Sequence, residues 1–276
     1  MSKSENIRVI KPKSGWRPID LKEIWTYKDL FYFMVWRDIK TRYAQSVLGI
    51  GWAVIQPLFS MVVFTIVFGN LAKINSNGVP YAIFSFTALV PWIYFSNALS
   101  NSSSSLLSAS GMITKVYFPR LIIPVTPIIS KLIDFAIALI LLTFMMMYYG
   151  FKPSAQIIHL PFLILLMMFT ASGFGMWFTA LSIQYRDINY GLAFFIQLLM
   201  YLAPVVYPLS NVPDSFRLIY SLFPMAGVIE GFRSILLQTN PIPWDEIFLG
   251  SIVATILLIS GAFYFQRMEK YFADVA

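Results

Sequence analysis

The sequence predicts an all-α membrane protein with six transmembrane helices, an amphipathic interfacial helix before the first, and a re-entrant helix pair before the last. Three observations carry that prediction. Hydrophobic residues make up 58% of the 276 residues and charged residues only 12%, about half the ~25% of a soluble domain. The apolar residues gather into long uncharged runs, Val47 to Ala72 and Leu160 to Gln184 among them, each longer than the ~20 helical residues that cross ~30 Å of hydrocarbon. Ten of the twenty Lys and Arg residues lie in the first 42 positions, so the net charge of +7 is local. Such a cluster reads as membrane orientation before nucleic-acid binding.

Residues 1–46 form a predicted cytoplasmic lead-in and interfacial helix, residues 47–265 the transmembrane domain, and residues 266–276 a cytoplasmic tail. The first twenty residues mix charge, Pro and Gly without periodicity, which predicts an extended chain. From Leu21 the pattern turns helical. Leu21, Ile24, Trp25, Phe31, Val35 and Ile39 fall on one face, and Lys22, Thr26, Asp29, Arg37 and Lys40 on the other, the pattern of a helix lying in the interface with its aromatic face among lipids. Six spans follow, at Val47 to Ala72, Tyr81 to Ser108, Leu121 to Tyr149, Ile157 to Gln184, Tyr190 to Tyr207 and Ile242 to Phe265. Between the last two, Ser215 to Phe223 and Met225 to Gln238 are apolar but too short to span. They are divided by Pro224 and carry Arg217, Glu230 and Arg233, which predicts two short helices that dip into the membrane and return.

An even number of spans places both termini on one side. The N-terminal segment, the Ser108 to Arg120 loop, the Gln184 to Asn189 loop with Arg186, and the tail with Arg267 and Lys270 hold fifteen of the twenty Lys and Arg residues. The positive-inside rule therefore makes both termini cytoplasmic. The segment before the first span is too long and too aromatic for a secretory signal, so no cleavage is expected. Cysteine is absent, which excludes disulfides and thiolate metal sites. No repeat or inverted symmetry relates the halves, which argues against many secondary-transporter folds.

The sequence displays no GxxxxGK[ST], HExxH or EF-hand loop, so nucleotide phosphates have no P-loop to hold them. Gly49 to Gly51 is not a dinucleotide fingerprint, because it follows no strand and lacks the third glycine. His159, the sole histidine, falls at a span end as an interfacial residue. No catalytic residue and no metal ligand set is predicted.

Three features carry polar chemistry into the membrane. Lys131 and Asp134 lie three apart on one predicted helix, where an unpaired charge costs several kcal/mol. They read either as a polar point on a conduction path or as a self-neutralised pair that fixes packing. The second span is polar along Ser96, Asn97, Ser100, Asn101, Ser103, Ser104 and Ser108. Small polar residues in a membrane helix mediate close contacts or line a wet cavity, and both readings stand. Among 25 Phe, 15 Tyr and 7 Trp most belong to interfacial belts. Trp92, Tyr94, Phe95, Tyr201 and Tyr207 are candidates for a smaller set facing a channel, where a ring face suits the C–H face of a sugar.

Five phrases occur in an order that resembles ABC-2 type polysaccharide export permeases, the membrane subunits that export O-antigen, capsule and teichoic-acid chains. They are WRDIKTRYAQSVLGIGWAVIQP at Trp36 to Pro57, KVYFPRLIIP at Lys115 to Pro124, YRDI at Tyr185 to Ile188, APVVYP at Ala203 to Pro208 and GVIEGFR at Gly227 to Arg233. The likeness runs from Trp16 to the C-terminus. One departure is Phe223, where the family pattern has Asn before the proline.

The resemblance implies a permease in the bacterial inner membrane that pairs with a second copy of itself and with two ATP-binding subunits. Its cargo would be a lipid-linked polysaccharide, O-antigen foremost, and membrane lipids would surround it. ATP and Mg would be bound by the partner ATPase, with no cofactor in this chain and no enzymatic activity of its own. Nucleic acid is not a partner. The resemblance makes Ser110 to Pro119 the ATPase-coupling loop, with Met112, Ile113, Lys115, Val116, Tyr117, Phe118 and Pro119 as its contacts. It places the interfacial helix at the channel mouth, with Trp36, Arg37, Lys40, Arg42 and Tyr43 meeting substrate phosphates or anionic headgroups. It assigns Pro224, Glu230 and Arg233 to an outer re-entrant gate. An ABC-2 drug or small-lipid exporter shares this scaffold. A membrane transferase acting on polyprenyl-linked sugars would need an acidic cluster that the sequence does not display.

Overall fold

The computed structural model describes residues 21–44, 48–113, 115–185, 187–269 and 272. The lead-in over residues 1–20, Val47 at the head of the first predicted span, Thr114, Arg186, Lys270 and the Leu21 side chain lie outside the described residues. Among the described residues all regular secondary structure is helical, without strands.

Helices α1 (Leu21–Thr26) and α2 (Lys28–Ala44) precede α3 (Gly51–Phe64), which continues as π-helical turns over Thr65–Leu71. A turn with Lys73 and Asn77 at positive φ reverses the chain, and Pro80 precedes α4 (Tyr81–Ser108). After α5 (Ser110–Ile113) the third apolar segment is built from α6 (Ile122–Ser130) and α7 (Leu132–Tyr148), separated at Lys131. Pro127 removes a backbone donor from α6 one turn before that break. A 3₁₀ turn (Ala155–His159) feeds α8 (Leu160–Gln184), with Pro161 in its first turn, where a missing N–H costs nothing. Then come α9 (Ile188–Leu202), α10 (Asp214–Ser221), α11 (Pro224–Leu237) and α12 (Trp244–Met268). Asp245 and Glu246 open α12 and Arg267 closes it, each sign matching the helix dipole.

Five helical segments are long and apolar enough to cross a membrane: Gly51–Leu71, Tyr81–Ser108, Ile122–Tyr148, Ala155–Gln184 and Trp244–Met268. The fifth predicted span is shorter than the sequence pattern suggests. Helix α9 has 15 residues, about 22 Å at 1.5 Å per residue, and it ends where Pro204 cannot supply a helical N–H.

Helix α4 is the centre of the bundle, packed against α3, α6, α7, α8, α9 and α11. Helix α3 is peripheral: among its described residues only Pro57 is buried. The tightest seam joins α8 to α12. A Cβ built on Gly173 would lie 2.6 Å from the Leu257 carbonyl carbon, and one on Gly261 would lie 2.6 Å from the Gly173 oxygen. Small residues thus let the backbones nearly touch, the usual basis of helix association in lipid. Trp177 stacks on Tyr264 at 4.2 Å along the same seam and donates from Nε1 to Ser260 Oγ at 3.1 Å.

Every residue of α11 is buried, enclosed by α4, α8 and α12. Helix α10 is the reverse, with Phe216, Leu218 and Ile219 exposed. The interfacial pair α1–α2 turns Ile24, Tyr27, Leu30, Phe31 and Met34 toward the bundle, whereas Trp25, Tyr32, Phe33 and Trp36 face outward. Ile24 and Phe31, on the predicted lipid face, therefore pack against protein, because the helix lies against α6. Trp25 of that predicted face does point outward, and the other outward aromatics, Tyr32, Phe33 and Trp36, lie on a different strip.

Candidate functional site

The Ser-rich tract of α4 divides by helical position. Ser102 and Ser103 are buried and bind helices together. Ser102 Oγ donates to the Pro124 carbonyl at 2.8 Å, Thr179 Oγ1 to the Ser102 carbonyl at 2.7 Å, and Ser182 Oγ to the Ser103 carbonyl at 2.9 Å. Asn101, Ser104, Ser105 and Ser108 occupy the other face, at the i, i+3, i+4 and i+7 spacing of one helix stripe. They line an open cavity of about 370 Å³ bordered by Arg37, Asp38, Thr41 and Arg42 of α2 and by Thr126 and Pro127 of α6. Contact and cavity lining thus both occur, one residue apart.

A second cavity of about 260 Å³ lies between the end of α2 and helices α3, α4 and α7. Its walls are mostly apolar, with Trp52, Pro57, Ile93 and Phe135, and Asn97, Lys131, Asp134 and Tyr43 bring polar groups into it. Arg42 lines both cavities.

Where they meet, a polar network ties α2 to the α6–α7 break. Arg42 donates from Nη2 to Asp38 Oδ2 at 2.8 Å and from Nη1 to Asp134 Oδ2 at 3.2 Å. Lys131 Nζ donates to the same Asp134 oxygen at 3.0 Å, and Tyr43 OH donates to Asp134 Oδ1. Ser130 Oγ donates to Asp38 Oδ2 and lies 3.4 Å from Arg42 Nη2. Asp134 stands in the first turn of α7, where the helix dipole favours a carboxylate. Burial, then the bond to Asp134, pushes the Tyr43 phenol up to about 12. The predicted pair Lys131 and Asp134 is therefore two members of a set that also holds Asp38, Arg42, Tyr43 and Ser130. Asp38 was not singled out from sequence, although its i, i+4 spacing to Arg42 is the readable signal.

At the opposite end of α4, the Arg233 guanidinium is fully buried, at 0% exposure. It donates to the carbonyls of Pro204 at 2.6 Å, Val205 at 2.7 Å and Tyr207 at 3.1 Å, and to Glu230 Oε2 at 3.3 Å. It also stacks 3.7 Å from the centre of the Phe84 ring. Tyr81 OH takes the remaining carbonyl, Val206, at 2.7 Å. The APVVYP turn is thus held by side chains on four successive carbonyls, which satisfies backbone groups that an irregular segment leaves open. Pro224 occupies the first turn of α11, and Asn240 Nδ2 donates to Glu230 Oε1 at 3.3 Å.

The aromatic candidates separate. Trp92, 4% exposed, and Tyr94 lie in the core, where Trp92 packs 5.6 Å from Phe95 and Tyr94 OH donates to the Ile128 carbonyl at 2.9 Å. Ser96 Oγ donates to the carbonyl of Ile93 on its own helix. Tyr201 is exposed on α9, and Tyr207 OH bonds the Tyr201 carbonyl and Tyr220 OH, each at 2.7 Å. In the loop after α4, Ile113 and Phe118 are buried, the latter at 3% exposure, in a cluster with Met34, Leu106, Ile122 and Ile183; Met112 is half-buried beside it. Lys115, Val116 and Tyr117 are exposed, and Pro119 is half-buried. Trp36, Arg37 and Lys40 are exposed on α2, while Arg42 and Tyr43 are half-buried.

A multispanning helical bundle with this seam and this loop is a membrane protein, and its sequence assigns it further. The ABC-2 type transporter family matches residues 29–237, so the chain belongs to that family. It is 25% identical over 256 residues to the O-antigen export system permease protein RfbA of Myxococcus xanthus, covering 92% of this chain and 98% of that one. A Klebsiella pneumoniae protein of the same name is 25% identical over 249 residues, covering 90% and 95%. The polysialic acid transport protein KpsM of Escherichia coli is 20% identical over 206 residues, 73% of this chain and 78% of that one.

Proposed function

We propose that this chain is the membrane permease subunit of an ATP-driven exporter of lipid-linked polysaccharide, with O-antigen as the foremost cargo. The observation that carries the reading is the end-to-end similarity to O-antigen export permeases. The polar lane along Asn101, Ser104, Ser105 and Ser108 supports it, because a glycan with many hydroxyls needs hydrogen-bonding walls inside a membrane. In this reading α9 is the sixth membrane helix and α10–α11 a re-entrant pair near the outer face, with both termini cytoplasmic in the bacterial inner membrane. Two copies form a two-fold channel, since a wide polymer path is most simply made at a symmetric interface. The chain transports without catalysing chemistry.

Two ATP-binding subunits supply the energy, holding ATP and Mg and docking under Ser110 to Pro119. The loop divides the work. Val116 and Tyr117 are exposed for contact, whereas Ile113 and Phe118 anchor the loop in the bundle. Nucleotide binding would shift the permease between two packings through that anchor.

Reconstitution into vesicles with and without the ATPase tests the proposal. Lipid-linked polysaccharide should cross only with both the partner and ATP, and transport without either would overturn it. In the same assay Val116→Ser with Tyr117→Ala should lower export without lowering thermal stability. Phe118→Ala should instead destabilise the permease by about 3–5 kcal/mol, the usual loss for a buried Phe. Normal export by the Val116 and Tyr117 variant would move the docking site elsewhere.

A further inference from the structure

The end of α12 is tied back to the loop that follows α4. Every α-helix ends in carbonyls without intrahelical partners. Arg120, at the far end of that loop, donates from Nη1 to the carbonyl of Glu269, the cap residue of α12, at 2.5 Å, and its Nε lies 3.9 Å from Glu269 Oε1. A cation there also meets the negative end of the helix dipole. The same guanidinium stands 5.9 Å from the ring centre of Phe272, within range of a cation–π contact. Phe272 lies beyond α12, which ends at Met268, yet it is fully buried, with its ring 5.0 Å from that of Phe265.

Phe272 joins the cluster that anchors the loop. Ile113 and Phe118, which hold the loop in the bundle, share that cluster with Phe272, with Ala262 and Phe265 of α12 and with Met176 of α8. The Arg120 side chain is 20% exposed, so its contacts are partly shielded from water. Tyr117 meets Glu23 of α1 through an exposed hydrogen bond at 3.2 Å, where water competes for both groups. The stronger attachment of the loop is therefore to the C-terminal end of the chain. The α8–α12 seam, where Trp177 stacks on Tyr264 and Gly261 meets Gly173, gives that attachment a firm base.

We infer that the C-terminal end of the chain is a clasp on the loop after α4, with Arg120 as its positioning residue. The Glu269 carbonyl and the Phe272 ring grip the guanidinium, and the grip fixes where the exposed Lys115, Val116 and Tyr117 stand. A loop held in this way passes a push on to α12 instead of yielding to it. The source of that push, an ATPase, rests on the export reading, and the clasp itself does not.

The full chain has no cysteine, so Lys115→Cys, on the loop, carries a single nitroxide label. Tyr148→Cys, exposed at the far end of the third span, carries the control label in a separate chain. Spectra are recorded in phosphatidylcholine nanodiscs without an ATPase. Arg120→Gln should raise the ratio of mobile to immobilised loop label about fivefold, the combined scale of a helix-end cation and a cation–π contact, and leave the control label unchanged. Arg120→Lys keeps the charge but loses the planar stack, and should fall between the two. Phe272→Ala should free the loop label as well. Where it loosens both labels, Arg120→Gln decides, because that change leaves the buried cluster intact. A loop label as immobile as the parent's in either variant, or equal loosening of both labels by Arg120→Gln, would overturn the clasp. Reconstituted with the ATPase, the Arg120→Gln chain should export less polymer per ATP hydrolysed, with partial recovery in Arg120→Lys. Export per ATP equal to the parent's would overturn the transmitting role. The label measurement needs neither ATP nor polymer, so failure of the parent chain to export counts against the export reading alone.

Discussion

Replacing Arg233 by Met keeps most of the side-chain length but removes its donors. The guanidinium serves the carbonyls of Pro204, Val205 and Tyr207, the Glu230 carboxylate and the face of Phe84. After the change the loop carbonyls lose those donors and Glu230, also buried, retains Asn240. Breaking a buried pair by removing one partner costs about 3–5 kcal/mol, and Arg233→Met should cost that much. Adding Glu230→Gln removes the stranded charge and should recover about 1–2 kcal/mol of that loss, because a neutral amide is cheaper to bury than a carboxylate. Arg233→Lys should not substitute, since an ammonium lacks the planar fork that reaches several carbonyls at once. Equilibrium unfolding in mixed micelles with increasing dodecyl sulfate, followed by tryptophan fluorescence, measures each difference. A loss below about 1 kcal/mol for Arg233→Met, the scale of a surface pair, would refute the clamp. So would a double variant no more stable than the single.

Gly173→Ala should destabilise the bundle by roughly 1–3 kcal/mol, the range for overpacking, because its new methyl meets the Leu257 and Leu258 backbone at 2.6 and 2.8 Å. Gly191→Ala on α9, where a methyl meets nothing within 4 Å, should be neutral or slightly stabilising in the same titration. Tyr43 gives a pH test. Its folded pKa is raised from 10.0 to about 12, so its contribution is complete below pH 10 and is lost as pH rises through 12. Tyr43→Phe should show less stability loss than the parent between those values, and identical profiles would refute the Tyr43–Asp134 contact.

The membrane class and the positions of the five long spans were legible because apolar runs of that length with so few charges have one structural outcome in lipid. Lys131 and Asp134 could be paired from spacing alone, since helix geometry brings i and i+3 together. Their joining to Arg42 could not, because Arg42 and Asp134 are 92 positions apart and meet only when α2 lies on the α6–α7 break. The Ser-rich tract was readable as polar helix, yet its division into contact and cavity faces depends on where α8 and α2 lie. Helix α9 ended early for a reason visible locally, Pro204. The carbonyls behind it are held by Arg233, whose partners are 26 to 29 positions away. Trp92 and Tyr94 show the limit of composition: a ring suited to a sugar is equally suited to a core.

Enclosure of α11 on every side has a consequence for biogenesis. The helix carries Glu230 and Arg233, which no isolated segment of its length would hold in lipid, and its seat is completed by α12, which follows it in the chain. Gly227 lies where a Cβ would come 3.1 Å from the Glu246 backbone at the start of α12. Translation therefore delivers α11 before its last wall exists, and the helix cannot take its buried seat until α12 emerges. Seating this helix is a late event in assembly, and a chain cut short before Trp244 would leave its ion pair without the α12 wall.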